Sequence, residues 1–153
     1  MRRMADLKPG DPMPATTLVG ADGPLQLRDR IGKPLVVYFY PKDETYGCTI
    51  EACKFRDEYE GFVAAGAEVI GISRDTAESH AQFKEHHRLP FTLLSDPGGK
   101  IAAAWGVKGK LGLPGRVTYV FDKAGVLRHR FDSMIRFGKH VDEALEVVKR
   151  LAG

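Results

Sequence analysis

Leu35 to Tyr40 is an unbroken apolar run, LVVYFY, and Pro41 stops it. β-Branched and aromatic residues with no polar alternation predict a central strand buried on both faces. Glu68 to Ser73, EVIGIS, predicts a second strand of the same kind. Between them the less polar positions Ile50, Cys53, Tyr59, Phe62 and Val63 predict a helix from about Gly47-Cys48-Thr49 to about Ala65, with Gly66 as its stop signal. Strand, helix and strand make a parallel crossover unit.

The flanking pattern extends this unit in both directions. Ala15 to Val19 and Leu25 to Leu27 enclose the turn cluster Gly20 to Pro24 and predict a small hairpin, and Arg28 to Lys33 is a polar connection. Beyond Ser73, Asp75 or Thr76 can cap a helix reaching about His87. Leu89 to Phe91 and Thr92 to Ser95 predict a short strand before the turn Asp96-Pro97-Gly98-Gly99, and Ile101 to Trp105 a short helix before the Gly- and Lys-rich loop Gly106 to Gly115. Arg116 to Phe121 and Val126 to Phe131 alternate around Asp122 to Gly125, a hairpin connection. His140 to about Leu151 places Val141, Leu145 and Val148 on one helical face. The expected architecture is an α/β, thioredoxin-like fold: an N-terminal hairpin and a mixed sheet flanked by helices on both faces. No internal repeat interrupts it.

Composition narrows the function more than the fold. A chain of 153 residues is expected to form one domain, residues 1–153, large enough to fold without a disulfide staple. Apolar content of 43% with 28% charged residues is ordinary for an ordered globular protein. The formal charge of +3 is scattered, with no basic stripe interleaved by aromatics, so no nucleic-acid partner is expected. Met1-Arg2-Arg3-Met4 has a signal-like basic start, but Asp6, Lys8, Asp11 and three prolines fill Ala5 to Pro14, where an apolar core should follow. No stretch is long and apolar enough to span a bilayer, and the expected compartment is the cytoplasm.

Cys48 and Cys53 are the only cysteines. In a reducing compartment a close pair points to catalysis rather than to a structural bridge. Cys48 falls where a buried strand hands over to a helix N-terminus, whose unpaired N–H groups and positive dipole end favour a thiolate. If the electrophile is a peroxide, further donors must polarise the O–O bond and stabilise the departing oxygen. Thr45 and an arginine from elsewhere in the chain are residue types able to do so. The offset of five from Cys48 to Cys53 fits neither a Cys-x-x-Cys exchange site nor half a zinc site. On an intact helix it separates the Cα atoms by about 8.5 Å, whereas a disulfide needs less than about 7 Å. A bond between them therefore requires the first helical turns to unwind. The alternative is that Cys53 is a small buried hydrophobe that never reacts.

Pro41-Lys42-Asp43-Glu44-Thr45-Tyr46-Gly47-Cys48 resembles the peroxiredoxin signature: a proline, three residues, a threonine, two residues and a reactive cysteine. Thr49 to Asp57, TIEACKFRD, is similar to the bacterioferritin comigratory protein, or peroxiredoxin Q, subfamily. The likeness continues through GISRD (Gly71 to Asp75), FTLLSD (Phe91 to Asp96), GRVTYVFDKAG (Gly115 to Gly125) and KHVDEAL (Lys139 to Leu145). It implies that Cys48 attacks peroxide and becomes a sulfenic acid, with Thr45 and the Cys48 N–H holding the substrate oxygens and Pro41 shielding the pocket. It also implies that Arg116 stabilises the thiolate and transition state. Cys53 would be the resolving cysteine, forming an intramolecular disulfide with Cys48 that a thioredoxin-type dithiol reduces. Hydrogen peroxide and alkyl hydroperoxides are the implied substrates, no cofactor or metal is expected, and the expected state is a monomer. Tyr46 stands where the subfamily usually has proline, which removes a fixed φ and restores an N–H.

Other readings of these residues remain. Arg116 on an alternating strand could simply face solvent. His80, His86 and His87 lie on one expected helix without an i,i+4 pair and read as solvated positions, while Trp105 and Tyr119 read as core residues. Arg56 could approach the first turn or pair with Asp57 or Glu60. A thiol-disulfide exchange or redox-sensor protein, or a non-catalytic thioredoxin-like binding module, are the competing functions. The Pro41, Thr45, Cys48 and Arg116 set favours the peroxidase.

Overall fold

A computed structural model describes residues 7–107, 109 and 115–152. The basic start Met1 to Met4 and most of the Gly- and Lys-rich loop lie outside the described residues.

The strands are β1 (Thr17–Gly20), β2 (Gly23–Gln26), β3 (Leu35–Phe39), β4 (Glu68–Ser73), β5 (Thr92–Ser95), β6 (Val117–Phe121) and β7 (Leu127–Asp132). The helices are α1 (Tyr46–Asp57), α2 (Tyr59–Ala64), α3 (Ala77–His87), α4 (Lys100–Trp105) and α5 (Phe137–Ala152). The strands form one sheet in the order β2-β1-β5-β4-β3-β6-β7. β3 pairs parallel with β4 and antiparallel with β6, and β4 pairs parallel with β5. The mixed α/β, thioredoxin-like architecture and the parallel crossover are as the sequence pattern predicts.

β3 is buried along its whole length because both of its faces are covered. Val36, Tyr38 and Tyr40 pack with Phe55 of α1, Phe62 of α2, Phe83 of α3 and Val141, Ala144 and Val148 of α5. Leu35, Val37 and Phe39 face Trp105 of α4 together with Leu7, Met13 and Leu27. Trp105 and Tyr119 are core residues, as expected, with ring centroids 5.2 Å apart.

Two boundaries differ from the sequence pattern. The helix expected to run unbroken to Ala65 is interrupted at Glu58 (φ −96°, ψ 6°), so α1 and α2 are separate. Acidic Glu58 and Glu60 oppose the negative C-terminal end of a helix and suit the start of a new one. α5 begins at Phe137, earlier than His140, despite Gly138. The Arg136 N–H donates to Ser133 Oγ at 3.2 Å just ahead of this turn, and a side chain at Gly138 would crowd Lys54. That early turn carries Phe137 into the site described below.

Phe55 is fully buried and stacks on Tyr38 with centroids 4.5 Å apart, also touching Phe62 and Phe91. Phe55→Ala is expected to cost about 3–5 kcal/mol, read as a lowered urea midpoint at unchanged m-value. A loss under about 1 kcal/mol would mean that this aromatic cluster does not hold α1 to the sheet.

Candidate active site

α1 starts one short loop after β3, and its buried face is Cys48, Glu51, Ala52 and Phe55, the i, i+3, i+4, i+7 spacing of one helical stripe. Cys48 therefore points inward from the first turn, 1% exposed. Pairing of Phe39 with Val117 brings the residue before β6, Arg116, to the same end of the sheet. The Arg116 guanidinium is the hub. Its Nη2 donates to Cys48 Sγ at 3.3 Å, its Nη1 to Glu51 Oε1 at 2.6 Å and its Nε to the Met134 carbonyl at 3.3 Å. Phe137 covers it, with the guanidinium carbon 4.9 Å from the ring centroid. Gly47 permits this lid, because a Cβ there would overlap the Phe137 ring.

The hub is buried, and its electrostatics follow from that. Burial alone would lower the Arg116 pKa, but Glu51 and Cys48 beside it outweigh burial and raise it. Burial pushes the Glu51 carboxyl up to about 7 against the pull of Arg116. Its second oxygen, Oε2, accepts no hydrogen bond among the described residues and lies 3.7 Å from His140 Nδ1. His140 Nε2 faces the Ser133 carbonyl at 2.7 Å and so carries the proton, leaving Nδ1 to accept from Thr118 Oγ1 at 2.7 Å. Burial lowers the His140 pKa to about 4, so the ring is neutral near pH 7 and gives Glu51 no countercharge. Burial and the neighbouring Glu51 and Cys48 raise the Tyr38 pKa well above its ordinary value.

The pattern of the AhpC/TSA family matches residues 9–130. The chain belongs to that family. A chloroplastic peroxiredoxin Q of Sedum lineare is 50% identical over 150 residues, covering 96% of this chain and 81% of the relative. The crystal structure of the peroxidoxin BcpB of Mycobacterium tuberculosis is similar at a TM-score of 0.86 and 36% identity, covering 94% of this chain and 97% of that one. A Xanthomonas campestris bacterioferritin comigratory protein, described in connection with its alkyl peroxide reduction activity, matches at a TM-score of 0.82 and 30% identity, covering 94% and 100%. The protein is thus a peroxiredoxin of the peroxiredoxin Q type, a thiol-dependent peroxidase.

The peroxiredoxin loop from Pro41 to Gly47 is pinned from the side of α3. Asp43 accepts from Tyr40 at 2.5 Å, from Ser79 at 2.8 Å and from His80 Nδ1 at 2.8 Å, while its own N–H donates to Asp75 at 2.8 Å. His80 Nε2 lies 3.0 Å from the Leu94 carbonyl oxygen. Burial pushes the Asp43 carboxyl up, but the bonds from His80 and Tyr40 prevail and hold it below its ordinary value. His80 is 4% exposed, which corrects its reading as a solvated helix position. The loop bends at Glu44, a non-glycine residue at φ 63°, whose carboxylate meets both His86 and His87.

Cys48 and Arg116 are brought together directly, so Arg116 is buried against the sulfur and is not a solvent-facing strand position. Thr45 is the N-cap residue of α1, and its Oγ1 donates back to the Lys42 carbonyl at 2.8 Å and caps no N–H of the helix. Pro41 is half-buried at the end of β3. Cys53 is half-buried on the same helix, and both cysteines are free thiols. Tyr46 occupies the first helical position, 80% exposed. A proline fits that position because its missing N–H has no helical partner there anyway. Arg56 does pair with Asp57, and it also donates to the His87 carbonyl at 2.7 Å. Sequence reasoning missed Glu51, His140, Phe137 and the Asp43–His80 pair. Only Glu51 carried a readable signal, three residues after Cys48 on the same helical stripe.

A carboxyl raised from 4.5 to about 7 by folding stabilises the protein at low pH and loses that contribution, about 3 kcal/mol, as pH rises through 7. His140, lowered from 6.5 to about 4, works the other way, losing stability as pH falls below 6.5. Glu51→Gln should remove the first slope and leave the second. Relative to wild type, the variant should gain about 3 kcal/mol between pH 4.5 and 8 in urea unfolding, whereas a pH-independent difference would show that Glu51 does not titrate in this window.

Proposed function

We propose that Cys48 is the peroxidatic cysteine, Cys53 the resolving cysteine, and Thr45, Arg116 and Pro41 the residues that shape the peroxide pocket. The observation that carries this reading is the buried hydrogen bond from Arg116 to Cys48 Sγ at a helix N-terminus. A guanidinium in that position stabilises the thiolate, and its remaining charge is available to the oxygen that leaves. The Cys48 thiolate attacks one peroxide oxygen, the S–O bond forms as the O–O bond breaks, and the departing oxygen takes up a proton to leave as water or an alcohol. Thr45 Oγ1 has committed its proton to Lys42, so it offers lone pairs to a peroxide O–H. Hydrogen peroxide and alkyl hydroperoxides are the proposed substrates.

The Cys53 thiol then displaces hydroxide from the sulfenic acid, releasing water and leaving a Cys48–Cys53 disulfide. α1 runs unbroken through both cysteines, so this step requires its first turns to open. A thioredoxin-type dithiol would reduce the disulfide by exchange and restore both thiols. The intramolecular pair needs no second subunit, which supports a monomer acting as one domain. Strands from both ends of the chain also share a single sheet. No helix among the described residues is long and apolar enough to cross a membrane. Dependence on a reducing partner supports a cytoplasmic setting.

Cys48→Ser is expected to abolish peroxide reduction, and retained turnover would remove Cys48 from the chemistry. Cys53→Ser should consume about one equivalent of peroxide and then stall with thioredoxin. In wild type, one equivalent of hydrogen peroxide should remove two protons and link Cys48 to Cys53 in a mass-spectrometric map. A single oxygen on Cys48 beside a free Cys53 thiol would transfer resolution to an external thiol. Arg116→Ala should slow peroxide consumption by about 10²–10³-fold in stopped flow, and a change under threefold would exclude its assigned role.

A further inference from the structure

Glu44, His86 and His87 converge from two separate elements. Glu44 is on the loop four residues ahead of Cys48, and the histidines close the last turn of α3. His86 Nδ1 lies 2.9 Å from Glu44 Oε2, and His87 Nε2 lies 2.8 Å from Glu44 Oε1. The two imidazoles lie side by side, with ring centroids 4.1 Å apart, and one ligand atom from each of the three residues can be chosen so that all lie within 4.8 Å of one another. The other comparable cluster among the described residues is Asp43, Asp75 and His80. There Tyr40, Ser79, Ser73 and the Asp43 N–H already occupy the carboxylates, so a cation has nothing to add.

We propose that Glu44, His86 and His87 form a binding site for a divalent cation of the zinc class, joining the loop that carries Cys48 to the end of α3. Two imidazoles and one carboxylate are a donor set that suits zinc, with a fourth position left to water. Metal–ligand distances of about 2.1 Å set tetrahedral neighbours about 3.4 Å apart. The 2.8 and 2.9 Å hydrogen bonds would open by about half an ångström as each ring nitrogen gives up its proton. The side chains have room to do this, with Glu44 45% and His86 66% exposed, while His87, at 17%, is held against Phe83 at a ring distance of 5.2 Å. Arg56 donates to the His87 carbonyl and leaves the ring to Glu44.

Free thiols bind zinc, so the test uses the full chain carrying Cys48→Ser and Cys53→Ser. This also makes it independent of the proposed peroxidase cycle. Zinc titrated against a chromophoric chelator should show one site per chain, and cobalt should give a visible ligand-field band without thiolate charge transfer. His86→Ala with His87→Ala, and separately Glu44→Gln, should each weaken zinc binding at least about tenfold. Glu44→Gln keeps an amide oxygen to accept from the histidines, so a hydrogen-bonded latch would survive it while a metal site would not. The proposal is overturned by absence of zinc binding up to about 0.1 mM, or by binding that neither set of substitutions weakens.

Discussion

A buried guanidinium shared between a sulfur and a carboxylate is the constraint on which this structure turns. Desolvating a charged group costs several kcal/mol, and Arg116 is 3% exposed. Only partners on both sides make its position tenable. Glu51 supplies one and Cys48 the other, with the Met134 carbonyl and the Phe137 ring closing the remaining directions. The arrangement is asymmetric. The carboxyl is pushed up to about 7 by burial, so near neutrality Glu51 is only a partial countercharge. The neutral His140 beside it adds none. Arg116 therefore retains positive charge to direct at the sulfur, where a fully ionised, fully bonded carboxylate would have spent it. In the proposed mechanism, residues that do not touch the peroxide set the charge at the one that does.

The sheet makes this meeting possible. β3 sits between a parallel and an antiparallel neighbour, so its carboxyl end lies beside the entrance of β6. In open α/β sheets the carboxyl ends of strands are where helix N-termini collect and ligands bind. Here that end hands the chain to α1, whose first turn brings Cys48 down onto Arg116. α5 must then approach closely enough for Phe137 to lie on Gly47, which is why that position has no side chain. The geometry around Cys48 and the packing of the core are the same contacts seen from two sides: the stripe that carries Cys48 and Glu51 also carries Ala52 and Phe55 into the core.

The sheet and the cysteine stretch were legible because their signals are local. A six-residue apolar run, a proline and a hairpin turn are decided within a few positions, and Thr45 lies three residues from Cys48. Arg116 is far away in sequence and was reachable only through resemblance, since an arginine opening an alternating strand looks solvent-facing. His80 was misread for a related reason. Its burial depends on Asp43, a loop residue whose approach to α3 no periodicity records. The break at Glu58 and the early start of α5 were hidden because exposed acids and a glycine weigh weakly beside the tertiary contacts that decide them. Glu51 was within reach, being on the helical stripe of Cys48. A buried acid, however, looks like a surface residue until its arginine partner is known.

In the proposed cycle the intact helix start must hold Cys48 against Arg116 and then release it toward Cys53. The first turn of α1 is built weakly for a helix terminus. Thr45 spends its hydroxyl on the Lys42 carbonyl and caps no N–H, and no acidic residue lies in the first turn. α3 shows the contrast, with Thr76 accepting from the Ser79 N–H and Glu78 in its first turn. A missing cap costs about 1 kcal/mol, and Tyr46 and Gly47 add little local stiffness where a proline would have fixed φ. Beside the Phe137 ring packed on Gly47, this turn is held by the bond from Arg116 to the sulfur, and that bond depends on the redox state. A thiolate accepts from the guanidinium as an anion, whereas a sulfenic acid is neutral and a weaker partner. In the proposed cycle oxidation therefore weakens one restraint on the segment that must next unwind, while the bonds from α3 to Asp43 keep the preceding loop in place. In the proposed cycle the order of events follows from which contacts carry the charge: the reduced helix is closed on its arginine, and oxidation loosens the turn that begins at Tyr46.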